Sequence, residues 1–166
     1  MSKFILFSVS GEEYGVPIDK VVEIILPRKI ISIPKVPPYI SGVINLRDSI
    51  LPLMDLRKRL GMAFTSPKEK ILIIRMQRER IGLLVDDVKE IVDIEDEQIT
   101  SPHMILKRLK PEYLLFIAKI ADRVIVILNL DNLLTSEEIT LLAESKEALL
   151  TEKSPDIDLK KKERKM

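Results

Sequence analysis

The sequence predicts a mainly β protein made of two packed barrels, and three observations carry that expectation. Short runs rich in Ile, Leu, Val and Phe follow one another along the chain, separated by polar turns. The same pattern of residues occurs twice. Neither copy is long enough to bury a good core alone, which favours two units packed together. A chain of 166 residues suits one domain, or two small subdomains sharing a core.

The runs come in hairpins. Phe4 to Ser10 is followed by the turn Gly11-Glu12-Glu13, and Tyr14-Gly15-Val16-Pro17-Ile18 resumes the run. Pro17 cannot donate to a ladder, so it is expected at an edge or a first strand position. Further runs lie at Gly42–Asn45, Ile50–Met54, Lys70–Met76, Ile81–Val85, Leu115–Ile120 and Val124–Asn129. Between them stand Arg47-Asp48-Ser49, Gln77-Arg78-Glu79-Arg80 and Ala121-Asp122-Arg123, all turn-like in composition.

The repeat is visible residue by residue. Tyr14 to Ile24 aligns with Ile81 to Ile91, with Gly, Asp, Val, Glu and Ile at identical spacing. Asp48 to Leu56 then aligns with Asp122 to Leu130. Each copy is a hairpin, a connection and a second hairpin. Two helical segments accompany them. Asp55 to Leu60 predicts a short helix stopped by Gly61, with a counterpart at Asp131 to Leu134. A longer helix is expected from Ser136, as N-cap, to about Leu150, with Leu141, Leu142, Ala148 and Leu149 on its apolar face. From Thr151 to Met166 the chain turns polar and ends in a lysine-rich run, which reads as a disordered tail.

The composition narrows the functions open to this chain. Net charge is +1 and aromatics are 4%, so neither the basic excess nor the stacking platforms of a nucleic-acid binder are present. No cysteine is available for disulfides, thiol catalysis or zinc. No stretch reaches the ~18 apolar residues of a membrane span, and the N-terminus is too short an apolar run for a signal peptide. The expected address is the cytoplasm.

Catalytic chemistry is equally sparse. The one histidine, His103, follows Pro102 in an expected loop and has no Gly-x-Ser-x-Gly elbow to serve. Glu12-Glu13 and Asp86-Asp87 are paired acids, but adjacent strand residues point to opposite sides. Asp86 also recurs as Asp19, as expected of a residue that belongs to the fold. With five glycines, there is no phosphate-cradling loop. No catalytic residue, metal ligand or cofactor is expected. A binding module remains. The stretch Ile31 to Ile40, apolar and stiffened by three prolines, is either a docking loop or a connection packed on the core.

One segment carries a specific resemblance. Ile40-Ser41-Gly42-Val43-Ile44-Asn45-Leu46-Arg47, followed by Ile50-Leu51-Pro52-Leu53-Met54-Asp55-Leu56-Arg57, is similar to the Gly-Val-x-Asn-Leu-Arg-Gly…Pro-x-x-Asp-Leu signature of the CheW family. Glu13-Tyr14-Gly15, Val21-x-Glu23-Ile24, Val85-Asp86-x-Val88, Asp122-Arg123 and Ser136-Glu137-Glu138 support it, and the resemblance runs from Phe4 to Leu150. It implies two five-stranded β-barrels with short helices and a C-terminal helix, intertwined as one domain over residues 1–150. It implies a chemotaxis scaffold without enzymatic activity, recruited to membrane-associated receptor arrays. The implied partners are the cytoplasmic tips of chemoreceptors and the regulatory domain of the histidine kinase CheA. Neither nucleic acid nor direct membrane insertion is expected.

Sensitive family positions match Val21, Glu23, Gly42, Asn45 and Arg47, which the resemblance assigns to receptor coupling in the groove between barrels. Glu23 and Arg47 are of opposite charge and in the family can pair. One departure is Asp48, which stands where the family has glycine and places a negative charge beside Arg47. The alternative is the regulatory domain of a CheA-type kinase cut from a longer chain; Met1 and the polar tail favour the stand-alone adaptor.

Overall fold

The computed structural model describes residues 2–63, 69–100 and 109–144. His103 and the tail from Thr151 lie outside that range, as do residues 145–150 of the expected C-terminal helix.

Eleven strands are present among the described residues. They are β1 (Ser2–Val9), β2 (Glu12–Pro17), β3 (Val21–Ile25), β4 (Ile40–Leu46), β5 (Ser49–Asp55), β6 (Lys70–Met76), β7 (Glu79–Val85), β8 (Asp87–Ile94), β9 (Ile99–Thr100), β10 (Leu114–Ile120) and β11 (Arg123–Leu128). A short helix, α1 (Leu56–Arg59), follows β5, and a second, α2 (136–144), closes the described chain. The strands make two sheets, ordered β8-β1-β2-β11-β10-β9 and β3-β6-β7-β5-β4. One sheet thus has six strands where five were expected, because the two-residue β9 pairs with β10 through Thr100 and Ile99.

The two sheets repeat one plan. In each, a hairpin from one copy (β1–β2 or β6–β7) sits in the middle. The other copy supplies a parallel neighbour, β11 beside β2 and β5 beside β7. The flanking strand, β8 or β3, pairs antiparallel with the first strand of the hairpin. The sequence repeat holds in three dimensions. Gly15 is opposite Ile127, and Gly82 is opposite Leu53, the aligned position. A Cβ on Gly15 would lie 2.7 Å from Ile127 Cδ1, and one on Gly82 would lie 3.0 Å from Leu53 Cδ1. Any larger residue at either place would push a side-chain end aside across the parallel pair.

The copies exchange strands. β3 follows β2 in sequence but belongs to the other sheet, and β8 leaves β7 in the same way. Neither strand reads as a β run in the sequence. β8 exposes Lys89, Glu90 and Asp93, which interrupt its apolar pattern, and half-buried Glu23 interrupts that of β3. By contrast β6 is buried on both faces. Ile71 and Ile73 fill the small core of the five-stranded sheet, while Leu72, Ile74 and Met76 face the large core shared by both sheets. β1 divides likewise, Phe4 and Leu6 entering the six-stranded sheet's own core and Ile5, Phe7 and Val9 the shared one. Truncating such a fully buried side chain costs about 2–5 kcal/mol.

Several local expectations are corrected. Pro17 is the last residue of β2, an interior strand; it lies opposite Phe4, beyond the β11 pairing that ends at Gly15, so its missing N–H leaves no gap. Asp55, as expected of a residue before a short helix, caps α1 by accepting from Arg57 N at 3.0 Å, and Gly61 takes φ +72° just past its end. The counterpart near Asp131 is a single 3-10 turn, Leu130–Asn132. The N-cap of α2 is Thr135 rather than Ser136. Its hydroxyl accepts from Glu138 N (3.0 Å), and the Glu138 carboxylate accepts from Thr135 N (2.8 Å), which is a capping box. Ile139 and Leu142 bury the helix, and Leu141 is exposed.

Candidate functional site

The five candidate residues fall on the two edge strands of the five-stranded sheet, β3 and β4, and on the turn after β4. The β4–β5 hairpin turns through Arg47 and Asp48 between the paired Leu46 and Ser49. Both turn residues have positive φ, +48° and +68°. That is the geometry of a tight two-residue hairpin loop, which favours Gly or Asn at the second place and accepts Asp. Asp48 therefore fills the family's glycine position without abandoning the turn.

The chain after β3 returns along the free edge of β4. Arg47 Nη2 donates to the Glu23 carboxylate. Further along, Arg28 Nη1 reaches the Asn45 carbonyl at 3.4 Å. Ile31 and Val43 then exchange two backbone hydrogen bonds, each 2.8 Å. These contacts draw the two edges of the sheet together and close it around its small core.

Gly42 makes that closure possible. Its φ is +142°, and a Cβ there would stand 2.2 Å from the Ile31 carbonyl oxygen and 2.9 Å from Ile30 Cγ2. Gly42 is buried, so it shapes the edge and presents nothing to solvent. Val21 starts β3 opposite Ile74 and packs against the shared core. Glu23 follows after a bulge; its side chain is 24% exposed, against 69% for Arg47. Asn45 is exposed beside them. The structure thus pairs Glu23 with Arg47, sets Asn45 on the same edge, and gives Val21 and Gly42 supporting places. Arg28 and Ile31 belong to this edge and were missed. Arg28 lies in a stretch without β alternation, and the pairing of Ile31 depends on a closure that the sequence does not display. The rest of the Pro-rich stretch is a connection, with Val36 and Tyr39 packed on the shared core.

The second copy has a matching pair. Glu90, aligned with Glu23, accepts from Arg123 Nη2 at 3.0 Å. The same guanidinium grips Glu13 through Nε and Nη2, both at 2.8 Å. The hydrogen bonds that Arg123 donates to Glu13 hold the Glu13 carboxyl below the ordinary carboxylate range and raise the Arg123 guanidinium above its own. In both copies the Glu of the exchanged strand is tied to an Arg at the hairpin turn.

A third cluster is internal. The Arg57 side chain, 4% exposed, contacts Asp55 (3.1 Å), Glu69 (3.0 Å) and Asp86 (3.5 Å). Asp86 also accepts from Ser10 N at 2.7 Å. One guanidinium therefore joins the end of β5, the approach to β6, the β7–β8 crossing and, through Asp86, the β1–β2 turn. Asp86 and Asp87 do not act together, since Asp87 is held by Lys70 at 3.3 Å. Among the described residues no three His, Cys, Asp or Glu side chains are grouped to hold a metal.

Two interlocked sheets with ion-paired, strand-exchanged edges form one double-sheet β module. The comparisons make the class specific. Residues 3–138 match the family model described as CheW-like domain, and the chain belongs to the CheW family of chemotaxis scaffold proteins. It is 31% identical over 142 residues to the chemotaxis protein CheW of Klebsiella aerogenes, covering 84% of this chain and 86% of that one. It is 34% identical over 138 residues to a probable CheW of Rhizobium etli, covering 82% and 89%. The structure of the scaffolding protein TtCheW from Thermoanaerobacter tengcongensis superposes with a TM-score of 0.75 at 33% identity, covering 82% of this chain and 94% of that one. The chain is accordingly a non-catalytic scaffold of chemotaxis signalling.

Proposed function

We propose that this chain couples the cytoplasmic tips of chemoreceptors to the regulatory domain of the histidine kinase CheA, working in the cytoplasm at membrane-associated receptor arrays. The receptor-coupling surface is the closed edge formed by Val21, Glu23, Gly42, Asn45 and Arg47. The observation that carries this reading is the Glu23–Arg47 pair, which stands where both free edges of the five-stranded sheet meet, beside exposed Asn45. No helix among the described residues is long and apolar enough to cross a membrane.

The test is Arg47→Ala and Arg47→Glu, each assayed for binding to a receptor signalling fragment and to CheA, with a melting curve alongside. An exposed pair contributes only about 0–1 kcal/mol to stability. Both variants should stay folded and lose receptor binding, Glu more severely because it would stand beside Glu23 and Asp48. CheA binding should change less. Receptor binding equal to wild type in both variants would refute the assignment.

A further inference from the structure

A cleft of about 390 Å³ shares no residue with the closed edge of the five-stranded sheet. Its volume falls in the ~300–1,000 Å³ range of small-molecule sites. The turn after β6, the 3-10 turns Pro111–Tyr113 and Leu130–Asn132, the last residue of α1 and the start of α2 form its walls.

One cation in the wall is held rigidly. The Arg59 side chain is 13% exposed. Its guanidinium carbon stands 4.2 Å from the centre of the Tyr39 ring and 5.5 Å from that of Tyr113. Nε donates to the Leu133 carbonyl at 2.6 Å and Nη2 to the Glu138 carboxylate at 3.1 Å, while Nη1 has no partner among the described residues. A guanidinium fixed in this way loses little freedom when its open edge takes a carboxylate.

The other charges of the wall stand apart. Lys110 meets only the Tyr113 ring, at 5.9 Å. The Glu112 carboxylate has no partner among the described residues, although its backbone carbonyl accepts from Asn132 at 2.9 Å and so ties the two 3-10 turns together. Asp131 pairs at 3.7 Å with Lys20, which is not in the wall. Two cations and two carboxylates therefore line one cavity, and neither cation pairs with either carboxylate. This balance selects the occupant. A simple anion would face Glu112 and Asp131 uncompensated, and a simple cation would face Arg59 and Lys110. A molecule that carries both charges satisfies all four.

We infer that this cleft binds a small zwitterion of dipeptide size, with its carboxylate on Arg59 Nη1 and Lys110, its ammonium on Glu112 and Asp131, and its apolar part against Tyr113 and Leu134. Arg59 comes from the first copy of the repeat and the other five from the second, so the ligand bridges the two copies. This activity is separate from receptor and kinase coupling and does not rest on it.

The test is an NMR titration of the isotope-labelled protein with alanyl-leucine, followed at the backbone amides of Gln77, Tyr113, Asn132 and Ser136. Two blocked forms are titrated beside it: N-acetyl-alanyl-leucine, which keeps only the carboxylate, and alanyl-leucine amide, which keeps only the ammonium. The zwitterion should shift these amides saturably, and each blocked form should bind about tenfold more weakly, a difference of ~1.4 kcal/mol. Glu112→Gln should lower the affinity for the zwitterion about tenfold and leave that for the N-acetyl form unchanged. Lys110→Gln should lower the affinity for the zwitterion and leave that for the amide form unchanged. Both substituted residues are exposed, so unchanged melting is expected of both variants.

Shifts that do not saturate at millimolar dipeptide, equal binding of the three forms, or wild-type affinity for the zwitterion in both variants would overturn the inference. So would displacement of the dipeptide by equimolar inorganic phosphate, which would make the cleft a plain anion site.

Discussion

Gly42→Ala tests whether the closed edge depends on the absence of one side chain. Two costs follow from the geometry. A φ of +142° is a region that side chains rarely adopt, and holding a non-glycine residue in such backbone costs about 1–3 kcal/mol. A Cβ would also stand 2.2 Å from the Ile31 carbonyl oxygen, so that strand must retreat. Its retreat breaks the two Ile31–Val43 hydrogen bonds, each worth about 1 kcal/mol net. Together these give a loss of ~3–5 kcal/mol, or a fall in Tm of roughly 6–20 °C for a domain of this size. Gly11→Ala is the control, at φ +82° with nothing within 4 Å of the added methyl. It meets the backbone penalty alone, about 1–2 kcal/mol. Urea unfolding of both variants measures the difference, and amide exchange at Ile31 and Val43 locates it. If Gly42→Ala is no less stable than Gly11→Ala, or exchange at Ile31 and Val43 is unchanged, the close approach does not constrain this edge.

Arg57→Ala should lose about 3–5 kcal/mol in urea unfolding, because it strands buried Asp86 and Asp55 without their cation; a loss under 1 kcal/mol would show the cluster to be incidental. Glu13 gives a pH dependence: its folded pKa lies below the ordinary 4.5, chiefly through the Arg123 hydrogen bond. Its contribution is therefore fully present above 4.5 and lost as pH falls through the depressed folded value, so Arg123→Ala should flatten the acid limb of the stability curve, and an unchanged limb would contradict the pairing. Residues 1–63 and 64–166, expressed separately, should each fail to give dispersed NMR spectra and should fold on mixing; independent folding of either half would refute the strand exchange.

The legible parts of this fold were those where burial acts on both faces or where a glycine packs closely against a side chain. β6 is apolar at nearly every position and could hardly be anything but a buried strand. Gly15 and Gly82 recur because each faces a side chain across a parallel pair, so the repeat in sequence was a repeat in packing. β3 and β8 were illegible for the opposite reason: at the sheet edges, charged residues interrupt the apolar run of each, and the pairing that makes them strands comes from the other copy. The misplaced cap of α2 shows a smaller limit. Thr135 and Ser136 are both good N-caps, and the reciprocal bonds between Thr135 and Glu138 decide between them. For the site, the opposite charges of Glu23 and Arg47 were visible, but the reason for Gly42 was not, since Ile31 approaches it from a Pro-rich stretch with no strand pattern.

The exchange of β3 also bears on how a scaffold transmits anything. Glu23 is held on one side by Arg47, from its own copy, and its strand is paired on the other side with β6, from the second copy. The closed edge is thus assembled from both copies. β6 in turn presents Leu72, Ile74 and Met76 to the core shared with the six-stranded sheet, and Arg57 ties the β7–β8 crossing to that sheet's first hairpin through Asp86. A displacement of β3 by a bound partner would have to be accommodated by β6, and through it by the shared core. Close-packed cores transmit strain rather than absorb it. Two separately folded barrels on a linker would offer two surfaces with independent orientations, whereas the exchanged strands fix those surfaces relative to each other. A scaffold of chemotaxis signalling gains a fixed geometry for its surfaces from the strand exchange itself.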